Sequence, residues 1–206
     1  TLVIDIDEVA VPWPHRVRGQ VRVHADTWFN FSTPIDPHGK HRWGPLAPSA
    51  RVEVDMQSPG QAWTGNAYLD SNEGEEPIQH ACHEWDWSRS PMKDGSTAVL
   101  YDVQAKDGTD TLLALRFTPQ GRVEPFDAPP RQALPRTAWG LPRRMRSPQA
   151  VRIAQQLEDT PFYQRAVLQS ELLGETVQSF HETLNVPRLV APIVQAMLPW
   201  RMPRRR

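Results

Sequence analysis

The sequence predicts a mainly β protein whose antiparallel strands close as a barrel or a sandwich, followed by a short α-helical tail. Over roughly the first 125 residues, short segments alternate apolar and polar residues, which is the period of a half-buried strand. Twenty-one prolines in 206 residues favour short strands and ordered loops over long helices. A series of about eight or nine antiparallel strands most often closes or stacks, because exposed sheet edges invite aggregation.

Composition limits the size of the core and the class of partner. A chain of 206 residues with 39% hydrophobic residues can bury one sizeable core or two small ones. The net charge of −1 provides no overall field that would attract nucleic acid, so we expect no nucleic-acid partner. The single cysteine, Cys82, excludes an internal disulfide framework and a cysteine-rich zinc site. No transmembrane run is visible.

The opening segments have clear strand patterns. Strands are predicted at 1–8, 16–24, 27–32 and 51–56, with a turn at 34–40 and a proline-punctuated loop after Trp43. In the second of these strands the valines face inward and the arginines form a solvated face. Because the alternation is already present at Thr1, we expect the chain to be the C-terminal part of a longer polypeptide that supplies further strands upstream.

The stretch from 60 to 103 is the densest in Trp, Tyr, His and carboxylates. A strand at 61–70 places Tyr68 and Asp70 on the same face. An acidic, turn-rich loop is predicted at 71–77, a strand at 80–88 with Trp85 and Trp87 on one side, and a hairpin of 96–105 and 111–118 around Asp107-Gly108.

The last third is predicted to be helical. A Pro/Arg-rich connector at 126–146 separates the β region at 1–125 from a helical tail at 147–206. Ser147-Pro148 and Thr160-Pro161 each supply an N-cap followed by proline at the first helical position. A third helix, mostly apolar, is predicted at 188–198.

Several standard site types are absent from the sequence. It has no glycine-rich phosphate loop, no nucleophile elbow and no helical zinc motif. His80 and His83 would point to opposite faces of a strand, so a shared metal ion is not expected. Cys82 is interpreted as a small buried hydrophobic residue. We therefore predict no metal site.

What remains is a set of acids and aromatic rings. Asp70 lies beside Tyr68 on an inward aromatic face, where desolvation would favour the neutral carboxyl group and make it a proton donor. The alternative is that Asp70 caps the turn at Ser71. His41 shares a face with Trp43 and could orient a water or relay a proton, although it could equally be a surface histidine after a turn.

Ring faces in this region could stabilise a developing cation. The candidates are Trp43 and the pair Trp85 and Trp87. On composition alone, all three could equally be core residues.

The stretch GNAYLDSNEGEEPIQHACHEWDWSRS, followed by TAVLYDV and later by LEDTPFYQRAVL, resembles the carotenoid 1,2-hydratase family, also called hydroxyneurosporene synthases. The RVEVD strand, the PPRQALPRT connector and the closing MLPWRMP match as well. The resemblance extends over essentially the whole chain, so no single short motif determines it. Members of the family are longer at the N-terminus.

The resemblance implies a lipocalin-like architecture of two β-barrel-type modules in bacterial proteins that need no cofactor. It implies addition of water across the terminal 1,2 double bond of acyclic carotenoids such as neurosporene and lycopene. The family's His-x-Trp and Tyr-x-Asp pairs fall on His41, Trp43, Tyr68 and Asp70. Trp63, Trp85 and Trp87 are the candidate substrate-binding residues.

Such a reaction needs one acid, one aromatic wall and one held water. Asp70 would protonate C2 and leave a tertiary cation at C1, and Tyr68 would hold the proton in line. Trp43 would face the cation, with Trp85 or Trp87 as second candidates, and His41 would position the water or take its proton.

The substrate is a membrane lipid, and the tail resembles an interfacial anchor. The helix at 188–198 is followed by Trp200 and by Arg201 and 204–206, which would face anionic headgroups. We therefore expect peripheral association with the cytoplasmic side of the inner or photosynthetic membrane. The alternative is a helix packed on the barrel with a frayed basic end.

Two other functions are compatible with the sequence. One is a lipocalin-like carrier that binds carotenoid without chemistry. The other is a cofactor-free isomerase or cyclase on the same fold, because a fold does not fix a function.

Overall fold

The structure is a computed structural model that describes residues 1–200, and most of these residues lie in strands. The strands are β1 Leu2–Val9, β2 Arg16–His24, β3 Thr33–Pro34, β4 His41–Ser58, β5 Gln61–Gly74, β6 Cys82–Pro91, β7 Thr97–Ala105, β8 Asp110–Phe117, β9 Val123–Pro125, β10 Arg131–Leu134, β11 Arg143–Arg146, β12 Arg152–Asp159, β13 Tyr163–Leu172 and β14 Glu175–Asn185. The helices are α1 Val186–Leu189 and α2 Pro192–Met197. The mainly β class with short helices at its end is confirmed.

The strands form two large antiparallel sheets and one small one. The first sheet has the order β1-β2-β4, with β3 on the same edge of β4 as β2 and with β5 on the other edge. The second has seven strands in the order β12-β13-β14-β6-β7-β8-β9. Strands β10 and β11 pair with each other. Within residues 1–200 no strand of the first sheet pairs with the second, so the two face each other as in a sandwich.

An aromatic core lies between the two large sheets. Trp43 of β4 is only 1% exposed, and its ring packs edge-on against Tyr101 and Phe117 of the second sheet. The centroids of these rings are 5.6 and 6.3 Å from that of Trp43. Edge-to-face contact is the favoured geometry for such pairs, so these rings fix the spacing of the sheets.

The first half of the chain follows the predicted order of strands with two differences. Strand β2 and the hairpin of β7 and β8 lie where the alternation placed them. The strand predicted at 27–32 is wrong, because the backbone there makes no ladder and the segment instead packs Phe29 and Phe31 against Phe117. The predicted proline loop is also wrong, since β4 continues through it.

Strand β4 accommodates its prolines by irregular pairing. Its register with β5 shifts between Pro45 and Ala47 and again between Ala47 and Ala50. A bulge leaves backbone positions unpaired, so a residue without an N–H is tolerated there. Strand β5 extends to Gly74 and so includes part of the loop predicted at 71–77.

The helices predicted from Ser147 and Thr160 are wrong, because these residues precede the long strands β12 and β13. The burial of β13 alternates strictly, with buried side chains at Gln164, Ala166, Leu168, Ser170 and Leu172. The buried face contains two polar residues, which hides the two-residue period in the sequence. The helix predicted at 188–198 is replaced by the two short helices α1 and α2.

Two predictions concern the C-terminal tail and the possibility of a membrane-spanning helix. The arginines at 201 and 204–206 lie outside the described residues. In the described part of the chain, no helix combines the length and the apolar character needed to cross a bilayer.

The seven-stranded sheet has a reverse face, which we define as the face that packs against β10 and β11. Asp102 on this face accepts hydrogen bonds from Arg131 and Arg146, each with an Nη2 to Oδ1 distance of 2.8 Å. Arg143 donates to the Gln164 side chain at 2.8 Å. The hairpin of β10 and β11 is therefore attached to the sheet largely through arginines.

Asp86 and His181 are the titratable pair at the centre of the reverse face. The Asp86 carboxylate accepts hydrogen bonds from the Thr183 hydroxyl at 2.5 Å and from the Arg144 backbone N–H at 3.2 Å. Burial raises the pKa of Asp86 to about 7 and lowers the pKa of His181 to about 4. His181 Nε2 donates to the Arg144 carbonyl and Nδ1 accepts from Gln164, both at 2.9 Å, so both ring nitrogens are satisfied.

Cys82 opens β6 and is 2% exposed. Burial raises the pKa of its thiol to about 12. The residue therefore behaves as the buried apolar side chain that the sequence indicated.

Candidate active site

A cavity of about 760 Å³ lies between the two large sheets. It brings together every residue that the sequence nominated, namely His41, Trp43, Trp63, Tyr68, Asp70, Trp85 and Trp87. One wall comes from β4 and β5, and the other comes from β6, β7, β13 and β14. Strands β4 and β5, which carry the His-x-Trp and Tyr-x-Asp pairs, thus face β6, which carries Trp85 and Trp87, across one concave surface.

The pairing of β4 with β5 places Trp43 next to Asp70. Trp43 is opposite Asn72 in the ladder, so Asp70 is its diagonal neighbour on the same face. The Trp43 indole Nε1–H donates to Asp70 Oδ2 at 2.7 Å. The Tyr68 hydroxyl lies beside the same carboxyl group, which lines the cavity. One carboxyl oxygen is thereby fixed by the indole, while the other is not held by it.

Tyr68 lies two residues before Asp70 on the same face of β5. Burial and then the nearby Asp70 carboxylate raise the pKa of Tyr68, so its side chain is a neutral phenol. Although the hydroxyl is close enough to Asp70 to feel its charge, it makes no well-aligned hydrogen bond within the described chain. Its ring packs against Trp87 across the cavity, with centroids 5.2 Å apart.

His41 is buried at the start of β4 and both of its ring nitrogens face protein groups. Nε2 is 2.9 Å from the Glu76 carbonyl oxygen, which can only accept, so Nε2 carries the proton. Nδ1 is 3.4 Å from Asp36 Oδ2. Gly74 allows this close packing, because a Cβ there would lie 2.8 Å from the His41 ring.

The tryptophans predicted to bind substrate occupy different depths. Trp85 and Trp87 project from the cavity face of β6, and Trp85 also contacts Tyr101 with centroids 6.4 Å apart. Trp63 lies at the rim and is 53% exposed. The strand alternation correctly placed the first two on one side.

Sequence reasoning missed the charged part of the lining. Arg89, Arg165 and Glu182 line the cavity, and Arg165 pairs with Glu182 at 3.0 Å. Arg89 follows Trp85 and Trp87 at two-residue spacing, which was a usable signal for a shared face. Arg165 and Glu182 come from β13 and β14, where the expectation of helices removed any such signal.

The arrangement can donate a proton inside an aromatic enclosure. A carboxyl group is oriented by an indole N–H, stands beside a neutral phenol, and faces tryptophan and tyrosine rings. Ring faces attract cationic charge, and a partly desolvated carboxyl can act as a general acid.

The family model and the curated relatives that match this chain are carotenoid hydratases. The model of the family described as "Carotenoid hydratase CrtC" matches residues 1–206. The chain is 53% identical over 207 residues to the acyclic carotenoid 1,2-hydratase of Rubrivivax gelatinosus, covering 100% of this chain and 51% of the relative. The corresponding protein of Thiocapsa roseopersicina is 46% identical, with 98% and 51% covered. The chain therefore spans about half the length of these relatives.

A more distant relative is covered more fully. The acyclic carotenoid 1,2-hydratase of Rhodobacter capsulatus is 36% identical, with 99% of this chain and 73% of the relative covered. Among solved structures, kievitone hydratase from Nectria haematococca matches with a TM-score of 0.54 and 14% identity, over 82% of this chain and 61% of that chain. At that identity the match shows a shared fold alone.

Proposed function

The chain belongs to the carotenoid hydratase CrtC family, and from this membership we propose that it carries the active site of a cofactor-independent acyclic carotenoid 1,2-hydratase. The substrate would be an acyclic carotenoid such as neurosporene or lycopene, and the product would be a 1-hydroxy carotenoid. The observation that carries the proposal is the Asp70 carboxyl group, held by Trp43 at 2.7 Å inside an aromatic cavity.

In the proposed reaction Asp70 is the general acid. Its free oxygen would transfer a proton to C2 of the terminal double bond, while the electron pair of that bond forms the new C–H bond and leaves a tertiary cation at C1. The faces of Trp85 and Trp87 would stabilise this cation. Water would then add at C1, and the proton lost from the added water would return to Asp70.

Trp43 and His41 would support the acid from the same strand. The N–H of Trp43 would keep the Asp70 carboxyl group in one orientation. His41, with Nε2 donating to the Glu76 carbonyl, would anchor the segment that follows β5 against β4. In this proposal His41 positions the site, and any contact it makes with water would be through the Nδ1 side.

We further propose peripheral membrane association through a patch of exposed apolar side chains. Trp13 is 74% exposed and contacts Trp200, with ring centroids 6.3 Å apart, and Ile193 of α2 is exposed nearby in the sequence. Arginines at 201 and 204–206 follow in the sequence. Aromatic residues beside basic residues suit an anionic interface, and the cytoplasmic side of the inner or photosynthetic membrane fits a lipid substrate.

The activity is tested in the full-length protein with lycopene or neurosporene in membranes prepared in ¹⁸O-labelled water. Wild type should give a labelled tertiary alcohol that is heavier than the substrate by one water. Asp70→Asn should give none, although the asparagine carbonyl can still accept the Trp43 N–H. Mass spectrometry of the extracted carotenoids measures both.

Two results would oppose the proposal. Retention of carotenoid by folded wild type without any labelled product would favour a carrier. A product of unchanged mass with altered absorption would favour an isomerase or a cyclase. The membrane association is tested separately by liposome co-sedimentation, which deletion of residues 188–206 should abolish.

A further inference from the structure

Two hydrogen-bond donors on the cavity wall have no acceptor within residues 1–200, and a third, the Tyr68 hydroxyl, lies beside Asp70 without a well-aligned hydrogen bond to it. Trp87 Nε1 and the Tyr68 hydroxyl are buried without a partner. The guanidinium of Arg89 makes no hydrogen bond or ion pair in the described chain, and it lies over the rings of Tyr68 and Phe180. Buried polar groups in native proteins are almost always satisfied, so a cluster of unsatisfied donors calls for a ligand.

The three residues are neighbours at the junction of the two sheets. The Tyr68 ring of the first sheet is near both of the other residues, with its centroid 5.2 Å from that of Trp87 and 5.4 Å from Arg89 Cζ. Arg89 is also 5.4 Å from the ring of Phe180, so it is held between two aromatic faces. The nearest carboxylate to influence it is Glu182, which is already paired with Arg165.

The chemistry of the donors identifies the ligand atom. An indole and a guanidinium can only donate, whereas a phenol can donate and accept. An acceptor atom would satisfy the indole and the guanidinium, and an acceptor that also carries hydrogen could donate to the phenol oxygen. A water or hydroxyl oxygen does both. His41 is less suited to this task, because its Nε2–H is already donated to the Glu76 carbonyl. Its Nδ1 makes no hydrogen bond within residues 1–200 but faces Asp36 Oδ2 at 3.4 Å.

We infer that Trp87, Arg89 and Tyr68 form the oxygen site of the reaction, which holds the attacking water and then the hydroxyl group of the product. This inference rests on the proposed hydration. In this inference Trp87 donates a hydrogen bond through its indole N–H, in addition to any role of its ring face. It also makes Arg89 a binding residue that the recognised motif pairs do not include.

The step balances with these residues. The water oxygen accepts a hydrogen bond from Arg89 or Trp87 and donates one to the Tyr68 oxygen, which leaves a lone pair for C1. As the C–O bond forms, the water proton passes to Tyr68 while the Tyr68 proton passes to the Asp70 carboxylate. Asp70 is thus returned to its acid form, and no other reactant is needed.

The test separates protonation of the alkene from capture of the cation. In D₂O, a cation that forms and reverts leaves deuterium at C2 of the recovered carotenoid, whereas a captured cation gives the alcohol. Trp87→Phe removes the N–H and keeps a ring, and Arg89→Lys keeps a charge and loses the planar fork. Trp28→Phe and Arg22→Lys are matched controls at exposed positions outside the cavity.

We expect the ratio of deuterium exchange to hydration to rise at least tenfold in Trp87→Phe and Arg89→Lys, and to stay at the wild-type value in the controls. An unchanged ratio, or exchange and hydration lost together, would overturn the oxygen site. If wild type itself gives neither alcohol nor exchange, the proposed hydration fails, and this result is distinct from the other two.

Discussion

The two faces of the seven-stranded sheet differ in how their most buried donors and charges are partnered. On β6 the odd positions Trp85, Trp87 and Arg89 line the cavity, while Asp86 on the even side joins the reverse face. The cavity face leaves buried donors at Trp87 and Tyr68 without partners. The reverse face pairs its charges with several hydrogen bonds each, as at Asp102.

This difference distinguishes a scaffold from a site. Buried charges that are fully hydrogen-bonded hold two layers together and have no capacity left for a ligand. Unpaired donors in a cavity lower stability and are available for chemistry. Substitutions on the two faces should therefore separate activity from stability.

The largest expected effect is on the cavity side, at Asp70. Asp70→Asn should lower kcat roughly 10²- to 10⁴-fold, because the general acid is lost. The free energy of unfolding should change by less than about 1 kcal/mol, since the amide oxygen still accepts the Trp43 N–H. Steady-state hydration and denaturant unfolding measure the two quantities. A large loss of stability would place Asp70 with the scaffold residues.

The next largest effect is expected at Asp102 on the reverse face, where stability should fall while activity is retained. Asp102→Ala leaves Arg131 and Arg146 without their shared acceptor and should lower the free energy of unfolding by about 3 kcal/mol. Activity per folded molecule should remain within about twofold of wild type. Asp7→Ala is the matched control, because it removes an exposed ion pair with Arg16 and should change the free energy of unfolding much less than Asp102→Ala does. Equal losses in the two variants would contradict the comparison.

A pH-dependent effect is expected at Asp86. Its folded-state pKa of about 7 lies above the ordinary value of 3.8, so between these values the folded state binds more protons than the unfolded state. Its contribution to stability is therefore present at low pH and is lost as the pH rises through 7. Asp86→Asn should gain on the order of 2 kcal/mol relative to wild type between pH 5 and pH 8. Denaturant titrations at both pH values measure this difference, and a constant difference would refute it.

The smallest expected effect is at Trp43, and it tests whether the indole N–H contributes to the activity of Asp70. Trp43→Phe keeps the ring packing but removes the N–H that orients Asp70. Asp70 gains negative charge as it gives up its proton. Loss of one hydrogen bond to this developing charge costs about 1.5 kcal/mol, which corresponds to roughly a tenfold decrease in kcat. Kinetics with Trp28→Phe as the control measure it. An unaffected kcat would show that Asp70 needs no such support.

The cavity face was accessible from the sequence, because its strands alternate in the ordinary way. Tyr68 and Asp70 were placed on one face of β5, and Trp85 and Trp87 on one face of β6, by spacing alone. Their roles remain proposals. Arg89 was missed although it continues the same spacing, because a single arginine reads as a solvated residue until its neighbours are known.

The reverse face was hidden for a physical reason. Gln164 and Ser170 on β13, and Ser179, His181 and Thr183 on β14, are buried although they are polar. Hydrophobic periodicity registers only apolar residues, so these strands showed no two-residue period and their Ser-Pro and Thr-Pro starts suggested helices. Their burial depends on partners such as Arg143 and Arg144, which lie about 20 to 40 residues away in sequence.

The buried thiol at the start of β6 can report how often this part of the protein opens. Cys82 is the single cysteine of the chain, and with its pKa at about 12 it reacts poorly while it is enclosed. Alkylation should therefore proceed only in the intervals when the end of β6 separates from β7. The rate of maleimide alkylation would measure the frequency of those openings without any mutation, and it would show whether carotenoid bound between the sheets makes them rarer.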